Sequence, residues 1–340
     1  MKVLCLWHTT DEELRYIKDA VPRGTEVVSA EGEFFSRWES TFQQLKRHAV
    51  DADVFMGFAL PKGILEIAKN LKFLNWLHTG VDDLELIGGL ALAKQRGFKV
   101  ANMPGAYALP LAEQVMMFAL ALAKNTLVKH QAAANNFRYF PPRSPGYRSA
   151  MLHGRTMGLI GVGGIGTAVA KLAKGFSMRV IGIRRRKDKP VENIDAMCGM
   201  DELHSFLGEC DYVVLAVPST ADTDQMFGRA EIEAMKPSAF LINIARGNLV
   251  QEKALYEALT SGRLRGYGSD VWPRYDYGRT WPTGGARLPI QSLPNVVASI
   301  HQGGDADDME ERILELGTQN LVEFLTGKPL TYGVNIELGY

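Results

Sequence analysis

Apolar residues alternate along the chain between two rhythms: short continuous runs typical of buried strands, and helical spacings that put one face toward a core. Residues 2–7 form the first run. Thr10 then stands as a helix cap before DEELRYIKDAV, whose Leu14, Ile17 and Val21 fall on one face. Residues 27–30, 53–58 and 72–77 read as further strands separated by helical patterns. Alternating strand and helix over this first part predicts a small parallel-sheet domain. A short strand near Val100 and a Pro-Gly turn lead into an almost wholly apolar stretch, 111–129, which predicts one long helix in a core, a domain connector or a subunit interface. Residues 135–149, NNFRYFPPRSPGYRS, carry aromatics, arginine and proline without periodicity and read as an extended arm packed on another subunit.

The rest of the chain is organised around residues 156–187, TMGLIGVGGIGTAVAKLAKGFSMRVIGIRRRK, which read as strand, glycine turn, helix and second strand. Gly161, Gly163 and Gly166 fall on the GxGxxG spacing of a dinucleotide cradle, with the pyrophosphate at the helix N-terminus. Ile165, Val169, Leu172, Ala173 and Phe176 repeat at helical spacing and predict one buried face. At the end of the second strand an NAD-binding version carries Asp or Glu for the ribose hydroxyl, whereas here Arg184 is followed by Arg185, Arg186 and Lys187. Guanidinium groups there suit a 2′-phosphate, which points to NADP(H) through Arg184 and Arg185; a solvated basic loop is the alternative.

Further strands are expected at 212–217, 239–244, 266–271 and 295–300, ending in PSTADT, NIARG, SDVW and IHQGG. In a parallel sheet these ends line one crevice. Arg246 and His301 would then converge, a planar fork for a carboxylate beside an imidazole that titrates near neutrality. The HTGVDD peptide, residues 78–83, follows an earlier strand and reads equally as an anion-binding loop or a plain turn.

Composition narrows the field. A chain of 340 residues, 46% hydrophobic, is long enough for two domains with substantial cores. Its 38 basic residues balance its 38 acidic ones, so no global field recruits nucleic acid or an anionic membrane. Cys5, Cys198 and Cys210 form no CxxC pair, which fits a reducing compartment. The seven histidines show no metal-ligand spacing, so no metal is expected. MKVLCLWHTT has too short an apolar run for a signal peptide, no stretch reaches the ~20 residues of a membrane span, and a soluble cytoplasmic protein is expected.

The ordered motifs HTGVDD, VANMPGAYALPLAEQ, GVGGIG, NIARGNLV, GSDVW and PNVVASIHQGG together resemble the D-isomer-specific 2-hydroxyacid dehydrogenase family over nearly the whole chain. The resemblance implies an α/β fold: a Rossmann-type doubly wound nucleotide-binding domain, residues 102–301, inserted into a smaller flavodoxin-like substrate domain, residues 1–101 plus 302–340. It implies an NAD(P)-dependent reductase of 2-oxo acids such as glyoxylate or hydroxypyruvate, usually dimeric. Arg246 would hold the substrate carboxylate, His301 would serve as acid and base, and Thr79, Gly80 and Val81 would help grip the carboxylate. Asp270 would lie near the nicotinamide carboxamide. Gly164, Ile165, Val217, Pro218, Thr223, Ile244 and Ala245 would join the glycines, Arg246 and His301 around the cofactor. The family's usual Glu partner of the histidine is missing: Tyr275 stands there, with Asp276 next to it, and either could take the role. Two rivals remain, a non-catalytic dinucleotide sensor of the same fold and an adenosyl-cofactor methyltransferase, the second leaving the Arg and His motifs unexplained.

Overall fold

The computed structural model describes residues 1–135, 148–185, 189–273 and 285–340, which fall into two compact units. The first comprises Met1–Ala106 and Asp307–Tyr340; the second comprises the described residues from 107 to 306. Tyr275, Asp276, Arg186, Lys187 and all but the ends of the expected arm lie outside the described residues.

In the first unit, strands β1 (Lys2–Cys5), β2 (Glu26–Ser29), β3 (Val54–Gly57), β4 (Phe73–Trp76) and β5 (Lys99–Ala101) form one sheet. Its order is β2-β1-β3-β4-β5, and every pairing is parallel. That is the flavodoxin-like order of a doubly wound sheet. The helix Asp11–Ala20 starts where the sequence predicts: Thr10 accepts from the Glu13 N–H and Glu13 returns the bond to the Thr10 N–H. Helix Met309–Leu325 closes the unit through buried amides. Asn75 donates to the Gly317 carbonyl at 2.7 Å, and Asn320 donates to Asn75 Oδ1 at 3.2 Å and to the Asn102 carbonyl at 2.9 Å.

In the second unit, β6 (Thr156–Ile160), β7 (Arg179–Ile183), β8 (Ala196–Cys198), β9 (Tyr212–Leu215), β10 (Phe240–Asn243), β11 (Gly266–Ser269) and β12 (Val296–Ala298) make the other sheet. The order β12-β11-β10-β9-β6-β7-β8 is wholly parallel and reverses direction at β6. This is the α/β Rossmann-type architecture, with its ligand crevice beyond the carboxyl ends of the paired strands β6 and β9, where the strand order reverses. Strand β8 is not foreseen by the sequence pattern, because its three residues are only half-buried and sit at the sheet edge. Separate apolar cores cover the two faces, one around Phe206, Phe227 and Leu241, the other around Val115, Phe118 and Val169.

The single helix expected at 111–129 is two, Ala108–Lys124 and Thr126–Ala134, bent by 62°. Asn125 adopts φ +52, a left-handed cap, and its N–H bonds back to Ala121 and Leu122. Its side chain donates to the Arg148 carbonyl, so a distant segment sets the break within an unbroken apolar pattern. The helix Gly164–Gly175 also differs in its face: Gly166, Val169, Ala170 and Ala173 are buried, whereas Phe176 is 39% exposed. Small residues let this helix approach its neighbours closely and turn the larger rings outward. Among the described residues no single helix is long and apolar enough to cross a membrane.

Candidate active site

The glycine turn after β6 is shaped by needs that no side chain meets. Gly161 has φ +101, and a Cβ there would stand 2.4 Å from the Ala216 carbonyl oxygen at the end of β9. A Cβ on Gly166 would meet the Gly161 carbonyl at 2.3 Å, so the helix Gly164–Gly175 is pressed onto the turn. At Gly163, the N-cap, a Cβ would meet nothing within 4 Å, and no side chain caps the helix. Open space before uncapped N–H groups fits a pyrophosphate. Gly164 and Ile165 form the first turn of that helix.

The flanking strand ends carry the other predicted cofactor residues. Arg184 and Arg185 follow β7; Arg184 donates to the Lys189 carbonyl, and Arg185 pairs with Asp222 at 3.3 Å across from the β9 loop. Val217 and Pro218 follow β9, where Thr223 folds the loop back by donating to the Pro218 carbonyl at 2.7 Å. Thr79, Gly80 and Val81 follow β4 in the first unit. There Thr79 donates to the Met103 carbonyl at 3.2 Å and its own carbonyl accepts from Asn102 at 2.6 Å, which fixes the turn.

The chemistry-bearing edge is built on three neighbouring strands in register, Asn243 opposite Ser269 and Ser269 opposite Ala298. Arg246 and His301 each lie three residues beyond the last residue of β10 and β12. They therefore stand at one edge of one sheet, two strand spacings or about 10 Å apart along it. Ile244 and Ala245 lead into the Arg246 turn. Asn243, fully buried, shapes that turn by accepting from the Ala245 N–H at 3.0 Å and donating to the Arg246 carbonyl at 2.8 Å.

Asp270, 2% exposed, follows the middle strand. Its carboxylate accepts from Ser299 Oγ at 2.5 Å, from the Gln302 N–H at 3.2 Å and from the Gly303 N–H at 2.9 Å. Burial pushes this carboxyl above the usual range, against the pull of these bonds and of the His301 backbone. Between Ser299 and Gln302, His301 takes φ +63, uncommon for a residue with a side chain. The carboxylate thus gathers the N–H groups of a left-handed turn, and His301 is carried on it. Gln114 and Trp272 extend the support, donating to Ser299 Oγ at 3.0 Å and to its carbonyl at 2.8 Å. Sequence reasoning missed Asn243, Ser299, Gln114 and Trp272. The one available signal was a polar Asn closing the apolar strand FLIN.

Residues 116–303, more than half of the chain, match the family described as D-isomer specific 2-hydroxyacid dehydrogenase, NAD binding domain. The chain belongs to the D-isomer-specific 2-hydroxyacid dehydrogenase family. The resemblance read from the ordered motifs is thereby borne out, and the second unit is a nicotinamide-dinucleotide domain of that family. A D-3-phosphoglycerate dehydrogenase of Methanocaldococcus jannaschii is 31% identical over 302 residues, 87% of this chain and 54% of that protein, so the chain spans about half of its length. A hydroxypyruvate reductase of Thermotoga maritima is 34% identical over 253 residues, 74% of this chain and 76% of its own. A crystal structure of a Thermus thermophilus protein superposes with a TM-score of 0.75 at 30% identity, covering 98% of this chain and 100% of that one.

Proposed function

We propose that this member of the dehydrogenase family reduces 2-oxo acids to 2-hydroxy acids, or runs the reverse oxidation, with NADP(H) preferred. The observation that supports the reading is the register Asn243–Ser269–Ala298, in which the strands leading to Arg246 and His301 end at one edge of the sheet that also carries the glycine turn. When bound, the nicotinamide dinucleotide supplies or accepts a hydride. Arg246 offers its fork to the substrate carboxylate and draws charge from the adjacent carbonyl. His301, protonated in the reductive direction, gives its proton to the carbonyl oxygen as the 2-hydroxy acid forms, and takes it back in the oxidative one. Thr79, Gly80 and Val81, in a substrate domain of residues 1–101 plus 302–340, are the substrate-binding turn that the family resemblance implies.

Arg184 and Arg185 support NADP(H), since a 2′-phosphate is better matched by guanidinium than by the ribose-binding carboxylate they replace. A homodimer is the expected assembly. The outward face of the Ala108–Lys124 helix favours it, with Leu109 55% and Met117 42% exposed and Met117 lining one hollow with Phe176. A cytoplasmic location goes with this reading.

The test is a panel assay following NADPH and NADH oxidation with glyoxylate, hydroxypyruvate, pyruvate and bulkier 2-oxo acids. Turnover of at least one oxo acid with a higher kcat/KM for NADPH is expected. Dinucleotide binding with no turnover of any of them would favour the sensor reading instead.

A further inference from the structure

Within the second unit the helix Ala108–Lys124 reaches the turn that carries His301 through Gln114. It lies close because glycines face it. A Cβ on Gly268 would stand 2.8 Å from Phe118 Cβ, one on Gly303 would stand 2.9 Å from Gln114 Cγ, and one on Gly304 would stand 2.7 Å from Tyr107 Cδ1. Gln114 Nε2 then donates to Ser299 Oγ at 3.0 Å, and Ser299 Oγ donates to Asp270 Oδ1 at 2.5 Å. The Ser299 backbone is held as well: its N–H donates to the Ser269 carbonyl at 2.9 Å, and its carbonyl accepts from Trp272 Nε1 at 2.8 Å. Every polar atom of Ser299 is thereby used, two residues before His301.

The direction of this chain of donors follows from counting protons. A serine hydroxyl has one proton to give and accepts through its lone pairs, whereas an ionised carboxylate only accepts. The carboxylate is the stronger acceptor, so the hydroxyl proton goes to Asp270 and the Gln114 amide must turn its N–H toward Ser299. A carboxylate oxygen in place of that N–H would compete for the single proton. Bonds to the ionised form oppose the desolvation that raises a buried carboxyl, and for Asp270 the Ser299 bond is the largest such pull. The charged and titratable side chains on the packed elements are Tyr107, Glu113 and Lys124 on the helix, Arg246 beyond β10, and His301 and Asp305 on the turn. Glu113 lines the outer hollow with Met117 and Phe176, Lys124 donates to the Ala150 carbonyl, and burial with the Asp305 charge pushes the Tyr107 phenol up. Burial and accepted hydrogen bonds are what govern Asp270.

We propose that Gln114 and Ser299 are positioning residues for the reaction: Gln114 commits the Ser299 proton to Asp270, and Asp270 stays the anion that grips the His301 turn. They act through Asp270. The inference rests on the reductase reading for its kinetic consequence, though not for its consequence on the fold.

The experiment records kcat/KM against pH with whichever of glyoxylate, hydroxypyruvate and pyruvate is reduced fastest, in wild type, Ser299→Ala, Ser299→Thr and Gln114→Glu. Ser299→Ala and Gln114→Glu should move the acid limb up by about one pH unit, the size of a hydrogen bond to a charged group. Ser299→Thr keeps the hydroxyl and should leave the limb in place. Losses that are equal at every pH, with the limb unmoved in Ser299→Ala and Gln114→Glu, would overturn the proposal. Thermal unfolding supplies a readout that needs no turnover. Without its donor the Asp270 carboxyl rises further in the folded state, so Ser299→Ala should lose more stability above the raised value than below it. In an Asp270→Asn background the Ser299→Ala loss should no longer depend on pH. A pH-independent loss in both backgrounds would overturn the proposal as well. If the wild type reduces none of the acids the reductase reading fails, and the unfolding comparison still decides the roles of Gln114 and Ser299.

Discussion

The carboxylate of Asp270 accepts the N–H of Gly303 at 2.9 Å, which ties the middle strand of the edge to the turn that carries His301. A Cβ on Gly303 would stand 2.8 Å from Asp270 Oδ2, so the glycine is what lets the two backbones close on the anion. Burial raises the Asp270 pKa, and the sign follows by linkage. A carboxyl raised in the folded state favours folding below its unfolded pKa and loses that contribution as pH rises through the folded value. Ionised Asp270 is therefore a net cost to the fold at neutral pH, which its bonds to the His301 turn reduce but do not cancel.

Asp270 must be ionised to gather those N–H groups. As pH falls through its raised pKa the turn loosens, so kcat/KM should decline on the acid side above the ordinary carboxylate range. Asp270→Asn should lower kcat/KM and remove that acid limb. An unchanged acid limb in the variant, read from a full pH–rate profile, would assign it to another group.

Arg184→Ala and Arg185→Ala test the cofactor preference. Charge-assisted bonds to a phosphate are worth about 1.5–3 kcal/mol, so kcat/KM for NADPH should fall about tenfold or more relative to that for NADH. Equal losses with the two cofactors would return the basic run to a solvated loop.

Gly161→Ala would force a side chain into a left-handed backbone and against the Ala216 carbonyl. Strain and overpacking together should cost about 2 kcal/mol or more, seen as a lower Tm, and dinucleotide affinity by titration should drop at least tenfold. Native-like binding would mean that the turn tolerates a shape it does not have room for.

Asn320→Leu addresses the first unit. It leaves the Asn102 carbonyl and Asn75 Oδ1 without their buried donor, at a cost of about 1–3 kcal/mol. Urea unfolding should show the loss; a variant as stable as wild type would mean that water replaces the amide.

What the chain's pattern makes legible is what is encoded locally. The strand–glycine–helix unit at 156–175 reads directly because φ +101 at Gly161 and the close approach at Gly166 admit only glycine. Strand ends at Arg246 and His301 read almost as well, since apolar runs stop where the polar residues begin. Strand β8 does not, because three half-buried residues carry no rhythm. The bend at Asn125 is invisible within an apolar run, being set by Arg148 in a separate segment. The Asp270 turn is hidden for a like reason: its partners lie 29 to 33 positions away and are mostly backbone N–H groups.

The central claim is that Arg246 and His301 act on one substrate at one sheet edge. Its most direct test is kcat/KM for a 2-oxo acid in Arg246→Ala and in His301→Ala, with dinucleotide affinity measured separately by fluorescence titration. The account predicts losses of about 100-fold or more in each variant, with dinucleotide affinity kept within a few-fold of wild type. Turnover close to wild type in either variant, or a loss that merely follows weakened dinucleotide binding, would contradict it.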